Sequence, residues 1–313
     1  MPKTQKVKQE IVIVIDKSGS MASCRDDVIG GFNTYVSDLK KETSVDAKLT
    51  LVMFDDNVHK LYAGRKISDV GELCSRTYSP NGSTALNDAV MVAIEDIESR
   101  ISKSKAKVAP QVIVIVFTDG DENASKTHKD KSLVSAKRAE KEKEGWAFIF
   151  MGADMDAWTA GHSYGMSAGN TMGFGKSDVF ASTSFLRNRT AKAARLYASN
   201  LEGELDEQGY STAMNNLMTI DEQDLATDQE AVTLRATLDA STKDLKGKPQ
   251  NLVTVDDKAA VSGWNPADVK DYWGASSLKF EEVYDSIAGT WIVPCCERDY
   301  DKDGNCDIHK EKK

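Results

Sequence analysis

The 313-residue sequence has no long apolar run. A membrane-spanning helix needs about 18–20 consecutive apolar residues, and no segment approaches that length. The basic N-terminus, residues 1–8, precedes only a short apolar stretch, residues 11–15, and no small-residue cleavage site follows it. A secretory signal peptide needs both a longer apolar stretch and such a site. These absences predict a cytoplasmic location and no membrane association.

Cysteine is scarce, and its count is odd. The cysteines are Cys24, Cys74, Cys295, Cys296 and Cys306. Disulfide scaffolds are typical of small secreted chains with an even number of cysteines. We therefore expect Cys24 and Cys74 to be reduced thiols.

An excess of basic residues is also lacking. The chain has 40 Lys and Arg against 49 Asp and Glu, which gives a formal net charge of −9. Nucleic acids and anionic membranes attract basic proteins, so neither is expected as the main partner. The apolar share of 40% is ordinary for a soluble globular protein and is enough to build a core.

Four apolar segments are typical of buried strands. They are residues 11–15, 49–54, 112–117 and 146–151. Nearly unbroken Ile and Val runs indicate strands that are covered on both faces, as in parallel sheets. Between them, residues 28–39, 86–101 and 129–144 have the spacing of helices with one buried face. Alternating strands and helices predict a doubly wound α/β fold, with a mostly parallel sheet and helices on both faces.

The character of the chain changes near residue 200. A helix is predicted over residues 177–199, and the segment 201–234 then contains acidic residues but no Lys or Arg. We therefore divide the chain into a first domain, residues 1–199, and a C-terminal accessory region, residues 200–313. The second region is predicted to be mostly helical or irregular. Helices are expected to begin at Asn265-Pro266 and to cover residues 278–288.

Three short polar segments lie at predicted strand ends or at a helix start. Asp16-Lys17-Ser18-Gly19-Ser20 follows the first strand, Thr84 precedes the second helix, and Asp119 follows the third strand. Ligands of open α/β sheets bind outside the carboxyl ends of the strands, so these segments are expected to meet there. Carboxylate and hydroxyl oxygens suit Mg²⁺, Mn²⁺ or Ca²⁺ rather than zinc.

Together these residues resemble the metal-ion-dependent adhesion site of von Willebrand factor A domains. The resemblance covers roughly residues 8–199, and every residue of the motif is present. It implies that Ser18, Ser20 and Thr84 contact a magnesium-type ion through their hydroxyls, and that Asp16 and Asp119 hold it directly or through water. It also implies that an acidic residue of a partner protein completes the coordination. Asp121 and Glu122 follow closely and are expected either to shape the rim or to lie in a plain solvated loop.

Two enzymatic interpretations compete. Phosphatases of the haloacid dehalogenase type also place an aspartate after the first strand, but they need a second Asp where this chain has Ser18. Residues 170–177 nearly match a phosphate-binding loop that ends in Lys176-Ser177, but Asn170 stands where the first glycine belongs. This segment also follows the last predicted strand rather than the first, so a strand–helix connection explains it better.

The C-terminal tail presents a second candidate metal site. Asp299, Asp301, Asp303 and Asp307 have the spacing of a calcium loop, with Gly304 at its turn. The loop departs from an EF-hand at Lys310, where the bidentate Glu belongs. Two other interpretations stay open. One is a solvated acidic tail, and the other uses the tail cysteines in a disulfide or a zinc site. That site would be formed by Cys295, Cys296, Cys306 and His309.

The sequence therefore predicts a non-enzymatic adaptor or regulator that binds an acidic residue of another protein through Mg²⁺. No histidine or cysteine falls within the motif segments, and no general base is evident. A structural docking component of a virion or cell surface is the first alternative. A phosphate-transferring enzyme is the second.

Overall fold

The structure, a computed structural model, describes residues 6–155, 157–176, 179–219, 283–285 and 290–292. The proposed calcium loop and the cysteines and histidine of the proposed zinc site lie outside these residues. Within the described part of the chain, no helix is both long and apolar enough to cross a membrane.

A six-stranded sheet forms the centre of the molecule. Its strands are β1 (Val7–Asp16), β2 (Val45–Phe54), β3 (Val58–Lys66), β4 (Gln111–Thr118), β5 (Ala147–Ala153) and β6 (Thr171–Phe174). They lie in the order β3-β2-β1-β4-β5-β6. All neighbours are parallel except β3, which pairs antiparallel with β2 at the edge.

Six helices accompany the sheet in the described residues. They are α1 (Arg25–Lys41), α2 (Leu86–Ser102), α3 (Lys131–Lys143), α4 (Ala157–Ser163), α5 (Val179–Leu201) and α6 (Glu207–Met214). Short 3-10 segments lie at Gly19–Cys24, Ile67–Asp69 and Ala168–Asn170.

Side chains of β1 alternate between two apolar layers. Ile13 packs in a cluster with Phe32 of α1 and Phe185 of α5, whereas Val14 packs in a second cluster with Ile94 of α2. Each fully buried side chain of this size contributes about 1.5–3 kcal/mol by leaving water. Helices therefore cover both faces, and the doubly wound, mostly parallel α/β fold is confirmed.

The sheet reverses its strand order between β1 and β4. The chain runs outward from β1 to β2 on one side and returns to β4 on the other. Ile15 of β1 lies opposite Phe117 of β4, so the carboxyl ends of these neighbouring strands are level. A crevice at such a switch point is the usual ligand position in open α/β sheets. Asp16 and Asp119 flank it.

Some elements differ from the sequence prediction. The edge strands β3 and β6 were not predicted, because β3 is largely polar and β6 has only four residues. The predicted helix over residues 278–288 is wrong. Val283–Asp285 is a strand, β7, which pairs antiparallel with Thr290–Ile292, β8. Val, Tyr, Trp and Ile in these segments favour strands.

The chain beyond residue 200 continues to pack on the α5 side of the sheet. Tyr210, Met214 and Leu217 belong to the same apolar cluster as Phe185. Asn170 fixes this segment, because its side chain donates to the carbonyl of Met214 at 2.8 Å and accepts from the amide of Leu217 at 2.8 Å. The domain boundary at residues 199/200 stays a prediction.

Candidate metal centre

Asp16 ends β1 and is fully buried. Its Oδ1 accepts a hydrogen bond from the backbone N–H of Ser18 at 2.7 Å, and its Oδ2 accepts from the hydroxyl of Thr118 at 2.6 Å. Tyr78 donates to the Asp16 carbonyl at 2.7 Å. Burial raises the pKa of Asp16, and the bonds from Thr118 and Ser18 counteract part of that rise. The carboxylate is therefore held in one orientation by a donor in the loop after β1 and a donor in β4.

Close backbone contacts place the loop after β1. The N–H of Lys17 donates to the carbonyl of Phe54 at 2.6 Å, and the N–H of Gly19 donates to that of Gly82 at 3.0 Å. Gly82 has φ +73°, and a Cβ at this position would lie 2.1 Å from Oδ2 of Asp56. Only glycine suits this backbone and this space. The loop after β1 is thereby fixed against the segment that precedes Thr84.

A chain of hydroxyl contacts connects the two central loops. The hydroxyl oxygens of Ser18 and Ser20 lie 3.0 Å apart, and Ser20 donates to Oδ1 of Asp119 at 2.7 Å. Since Ser20 gives its hydrogen to Asp119, its oxygen accepts from Ser18. Two hydroxyls and a carboxylate from β1 and β4 thus converge.

Thr84 is held against the loop that follows β4. Its N–H donates to the side-chain oxygen of Asn123 at 2.9 Å, and its carbonyl accepts from the N–H of Asn123 at 3.0 Å. Its hydroxyl oxygen lies 3.6 Å from the position that a Cβ on Gly120 would occupy. The structure therefore brings all five predicted residues to one end of the sheet. We call them the candidate metal centre: Asp16, Ser18, Ser20, Thr84 and Asp119.

A lysine also reaches the candidate metal centre. The ammonium of Lys176 lies 2.6 Å from Oδ2 of Asp119 and donates to the carbonyl of Ser20 at 3.1 Å. The Asp119 side chain is shielded from solvent. Burial alone would lower the pKa of Lys176, but its bond to Asp119 and the charge of that carboxylate raise it above the ordinary value.

The donor set fits a hard divalent cation. It consists of two carboxylates and three hydroxyls, all of them oxygen ligands. Mg²⁺ is commonly held by one or two carboxylates, with other oxygens completing its shell. Among the described residues, no group of three or more His, Cys, Asp or Glu side chains is placed to hold a metal. A soft, zinc-type ligand set is thus not found in that part of the chain.

Glu122 stabilises the loop rather than lining the candidate metal centre. Its carboxylate accepts from the N–H of Asn87 at 2.7 Å, at the start of α2, and from the N–H of Ser125 at 2.7 Å. Asp121 is exposed. Glu122 therefore stabilises the loop from inside. Asp121 matches the second of the two expectations, a plain solvated loop.

Residues 170–176, which nearly match a phosphate-binding loop, belong to other structural elements. Thr171–Phe174 forms β6, Asn170 holds the segment after α6, and Lys176 contacts Asp119. Ser177 lies outside the described residues. A strand followed by a helix, α5, is the arrangement that was expected.

Four side chains that bond the candidate metal centre were not predicted: Thr118, Tyr78, Asn123 and Lys176. Thr118 had a signal, because it is a polar residue directly before Asp119 that ends the apolar run of residues 112–117. Tyr78 and Lys176 come from distant loops whose local sequence does not indicate where their side chains end.

Several solved structures are similar to this chain at low sequence identity. No curated protein matches the sequence. The von Willebrand factor domain of the type V pili tip protein Mfa5 from Porphyromonas gingivalis is 12% identical, with 61% of this chain and 97% of that one covered and a TM-score of 0.45. The PilB minor pilin from Streptococcus sanguinis is 11% identical, with 61% and 63% covered and a TM-score of 0.44.

Proximal thread matrix protein 1 from the mussel byssus is 20% identical, with a TM-score of 0.33. The similarity covers 48% of this chain and only 36% of the mussel protein, so this chain spans about a third of that protein's length. In another structure of the mussel protein, the metal-ion-dependent adhesion site (MIDAS) motif is occupied by zinc.

The sequence model of the von Willebrand factor type A domain matches residues 10–186. The match covers more than half of the chain and includes all five residues of the candidate metal centre. The chain belongs to the von Willebrand factor type A domain family.

Proposed function

We propose that this chain is a metal-dependent protein-binding module of the adaptor or regulator type. The candidate metal centre would hold Mg²⁺, and an acidic residue of a partner protein would complete the coordination of the ion. The observation that carries this proposal is the contact of Ser20 with both Ser18 and Asp119. It gathers oxygen donors from β1 and β4 at the switch point of the sheet, where ligands of such folds bind.

The residues of the candidate metal centre would have different roles in binding the ion. Asp16 is buried and fixed by two hydrogen bonds, so it supplies a charge whose position does not change. Ser18, Ser20 and Thr84 supply neutral oxygens, so the two carboxylates, Asp16 and Asp119, balance the charge of a divalent ion without exceeding it. A carboxylate of the partner would then take a coordination position that these five residues leave open. Domains of this family generally mediate protein–protein interaction, and the surrounding surface would add affinity and specificity.

Acid–base catalysis is poorly supported at this site. The position two residues after Asp16 carries Ser18, whose hydroxyl contacts Ser20. Two of the histidines are engaged by carboxylates outside the candidate metal centre: His59 contacts Asp55 at 3.2 Å and His128 contacts Asp88 at 3.1 Å. A general base within reach of a bound substrate is what hydrolysis would need.

Calorimetric titration of the full chain with Mg²⁺ tests the proposal. Wild type should bind one ion, and Asp16→Asn should bind none while keeping its circular dichroism spectrum and melting temperature within a few degrees. Asp121→Asn is the matched control, because it removes an exposed carboxylate from the same loop as Asp119. Equal Mg²⁺ affinity in wild type and Asp16→Asn would refute the site.

Affinity capture then tests the partner. Proteins retained by immobilised wild type in Mg²⁺ should be released by EDTA, return when Mg²⁺ is restored, and be missing with Asp16→Asn. Retention that ignores both EDTA and the substitution would show that binding does not use this site.

A further inference from the structure

Lys176 places a positive charge against Asp119 and Ser20, two of the five residues of the candidate metal centre. Its ammonium is 2.6 Å from Oδ2 of Asp119 and 3.1 Å from the carbonyl oxygen of Ser20. The other oxygen of Asp119 accepts from the Ser20 hydroxyl at 2.7 Å. Both oxygens of this carboxylate are therefore engaged by groups of the chain itself.

The contact depends on backbone geometry at the far edge of the sheet. The N–H of Lys176 donates to Oδ1 of Asp154 at 3.0 Å, and the N–H of Asp154 donates to the carbonyl of Phe174 at 2.9 Å. Asp154 adopts φ +50°, a conformation that non-glycine residues rarely take. The ends of β5 and β6 are thus tied together so that the side chain of Lys176 reaches past β5 to β4 and β1.

An ammonium group cannot take part in metal coordination. It has three donor hydrogens and no free lone pair, so its contact with Asp119 excludes an ion from that oxygen. It also repels a divalent cation at contact distance, and the repulsion is stronger where solvent is excluded. The Lys176 side chain is 22% exposed and that of Asp119 is fully shielded. Water is therefore excluded on the Asp119 side of this contact, while the ammonium remains partly hydrated.

We propose that Lys176 is an internal cation that competes with the divalent ion for Asp119 and thereby sets the metal affinity of the candidate metal centre. This inference rests on the proposed function and deepens it. Direct binding of the ion to Oδ2 of Asp119 requires the ammonium to leave that oxygen, so this coordination and the Lys176–Asp119 contact are alternatives. The site therefore binds its ion more weakly than the same five donors would without the lysine.

Calorimetry of the full chain with Mn²⁺ measures the competition. Lys176→Gln should bind Mn²⁺ about tenfold more tightly than wild type or better, because the competing charge is removed. Lys176→Arg, which keeps the charge, should stay near wild type. Lys126→Gln is the matched control. It removes one positive charge from the loop after β4, where Lys126 bonds the side chain of Asn57 instead of the centre.

The outcomes separate the inference from the proposed function. Equal Mn²⁺ affinity in wild type and Lys176→Gln would overturn the inference and leave the metal site intact. An equal gain in Lys126→Gln would also overturn it, since net charge rather than contact would then explain the effect. Lack of Mn²⁺ binding in wild type and Lys176→Gln alike would refute the proposed function and the inference with it. Binding by Lys176→Gln alone would support both.

A measurement on the unaltered chain covers the case in which Lys176→Gln does not fold. Lysines are acetylated briefly with and without saturating Mn²⁺, and modification at each site is quantified by mass spectrometry. Mn²⁺ should increase acetylation of Lys176 several-fold, because the ammonium is displaced from Asp119, and should leave Lys126 unchanged. Unchanged or reduced acetylation of Lys176 at saturating Mn²⁺ would overturn the inference.

Discussion

The hydroxyl of Thr118 donates to the buried carboxylate of Asp16 across 2.6 Å, and this bond joins the last residues of the two central strands. Thr118 also accepts from the N–H of Gly120 at 3.2 Å. One hydroxyl therefore orients Asp16 and fixes the turn that carries Asp119. The two carboxylates of the candidate metal centre are held in register by a residue that need not touch an ion.

Thr118→Val tests this coupling, because valine keeps the shape and removes the hydroxyl. The buried Oδ2 of Asp16 would lose its donor, which should lower the free energy of unfolding by about 1–3 kcal/mol. Mg²⁺ affinity should fall as well, since Asp16 would no longer be oriented from β4. Urea denaturation and calorimetry measure the two effects. Thr43→Val, at an exposed position, is the control, and a cost no larger than the control's would show that the bond does not stabilise the site.

Gly82→Ala should be more damaging than the same change at Gly203. Both glycines have positive φ, +73° and +76°, so alanine strains the backbone at each by about 1 kcal/mol or more. At Gly82 the added Cβ would also lie 2.1 Å from Asp56, whereas nothing lies within 4 Å at Gly203. The difference in unfolding free energy between the two variants isolates the steric part.

The same pair of variants also reports on function. Since Gly82 accepts from the N–H of Gly19 at 3.0 Å, Gly82→Ala should shift the loop that carries Ser18 and Ser20 and weaken Mg²⁺ binding. Gly203→Ala should bind Mg²⁺ like wild type. Indistinguishable stability and affinity in the two variants would mean that the loop contact has no special role.

The four inner strands of the sheet and the five residues of the candidate metal centre could be predicted because their signals are local. Runs such as residues 11–15 and 112–117 are apolar throughout, and the polar motif segments sit directly beside the strands and helix that place them. β3 could not be predicted in this way, because an edge strand exposes one side and carries polar residues there.

Contacts made by long side chains were beyond sequence reasoning for a different reason. Lys176 reaches Asp119 only because β6 lies beside β5 and Asp154 fixes the backbone between them. Neither fact is encoded in the residues next to Lys176, which instead suggested a phosphate-binding loop. Tyr78 is similar, because its hydroxyl reaches Asp16 from a loop sixty-two residues away.

Asp88 should make stability depend on pH in the acid range. Burial alone would raise its pKa, but hydrogen bonds from the N–H groups of Lys126, His128 and Thr127 outweigh this and lower the pKa below the ordinary 3.8. A carboxyl with a depressed folded-state pKa stabilises the fold above its unfolded pKa and loses that contribution as the pH falls through the folded value. The stabilisation by Asp88 is therefore complete above about pH 5 and declines below 3.8.

Asp88→Asn checks this prediction. At pH 7 the change should cost about 1–3 kcal/mol, because three backbone N–H groups lose a charged acceptor. At pH 3 the cost relative to wild type should be clearly smaller. Urea denaturation at both pH values gives the comparison, with the exposed Asp69→Asn as control. A cost at pH 3 equal to that at pH 7 would contradict a lowered pKa for Asp88.

The purified chain should not hydrolyse ATP or phosphate monoesters in the presence of Mg²⁺. A phosphatase of the kind considered above needs an acid–base carboxylate two residues after its first aspartate, and Ser18 occupies that position and contacts Ser20. A phosphate-binding loop cradles phosphate oxygens with the backbone N–H groups of a glycine-rich turn, whereas the residues before Lys176 form the strand β6, Thr171–Phe174. Phosphate release assayed over hours at high protein concentration measures any turnover. Turnover that disappears in Asp16→Asn would overturn the binding-module proposal. Turnover that persists in Asp16→Asn but disappears in Lys176→Ala would instead support nucleotide hydrolysis at the segment after β6.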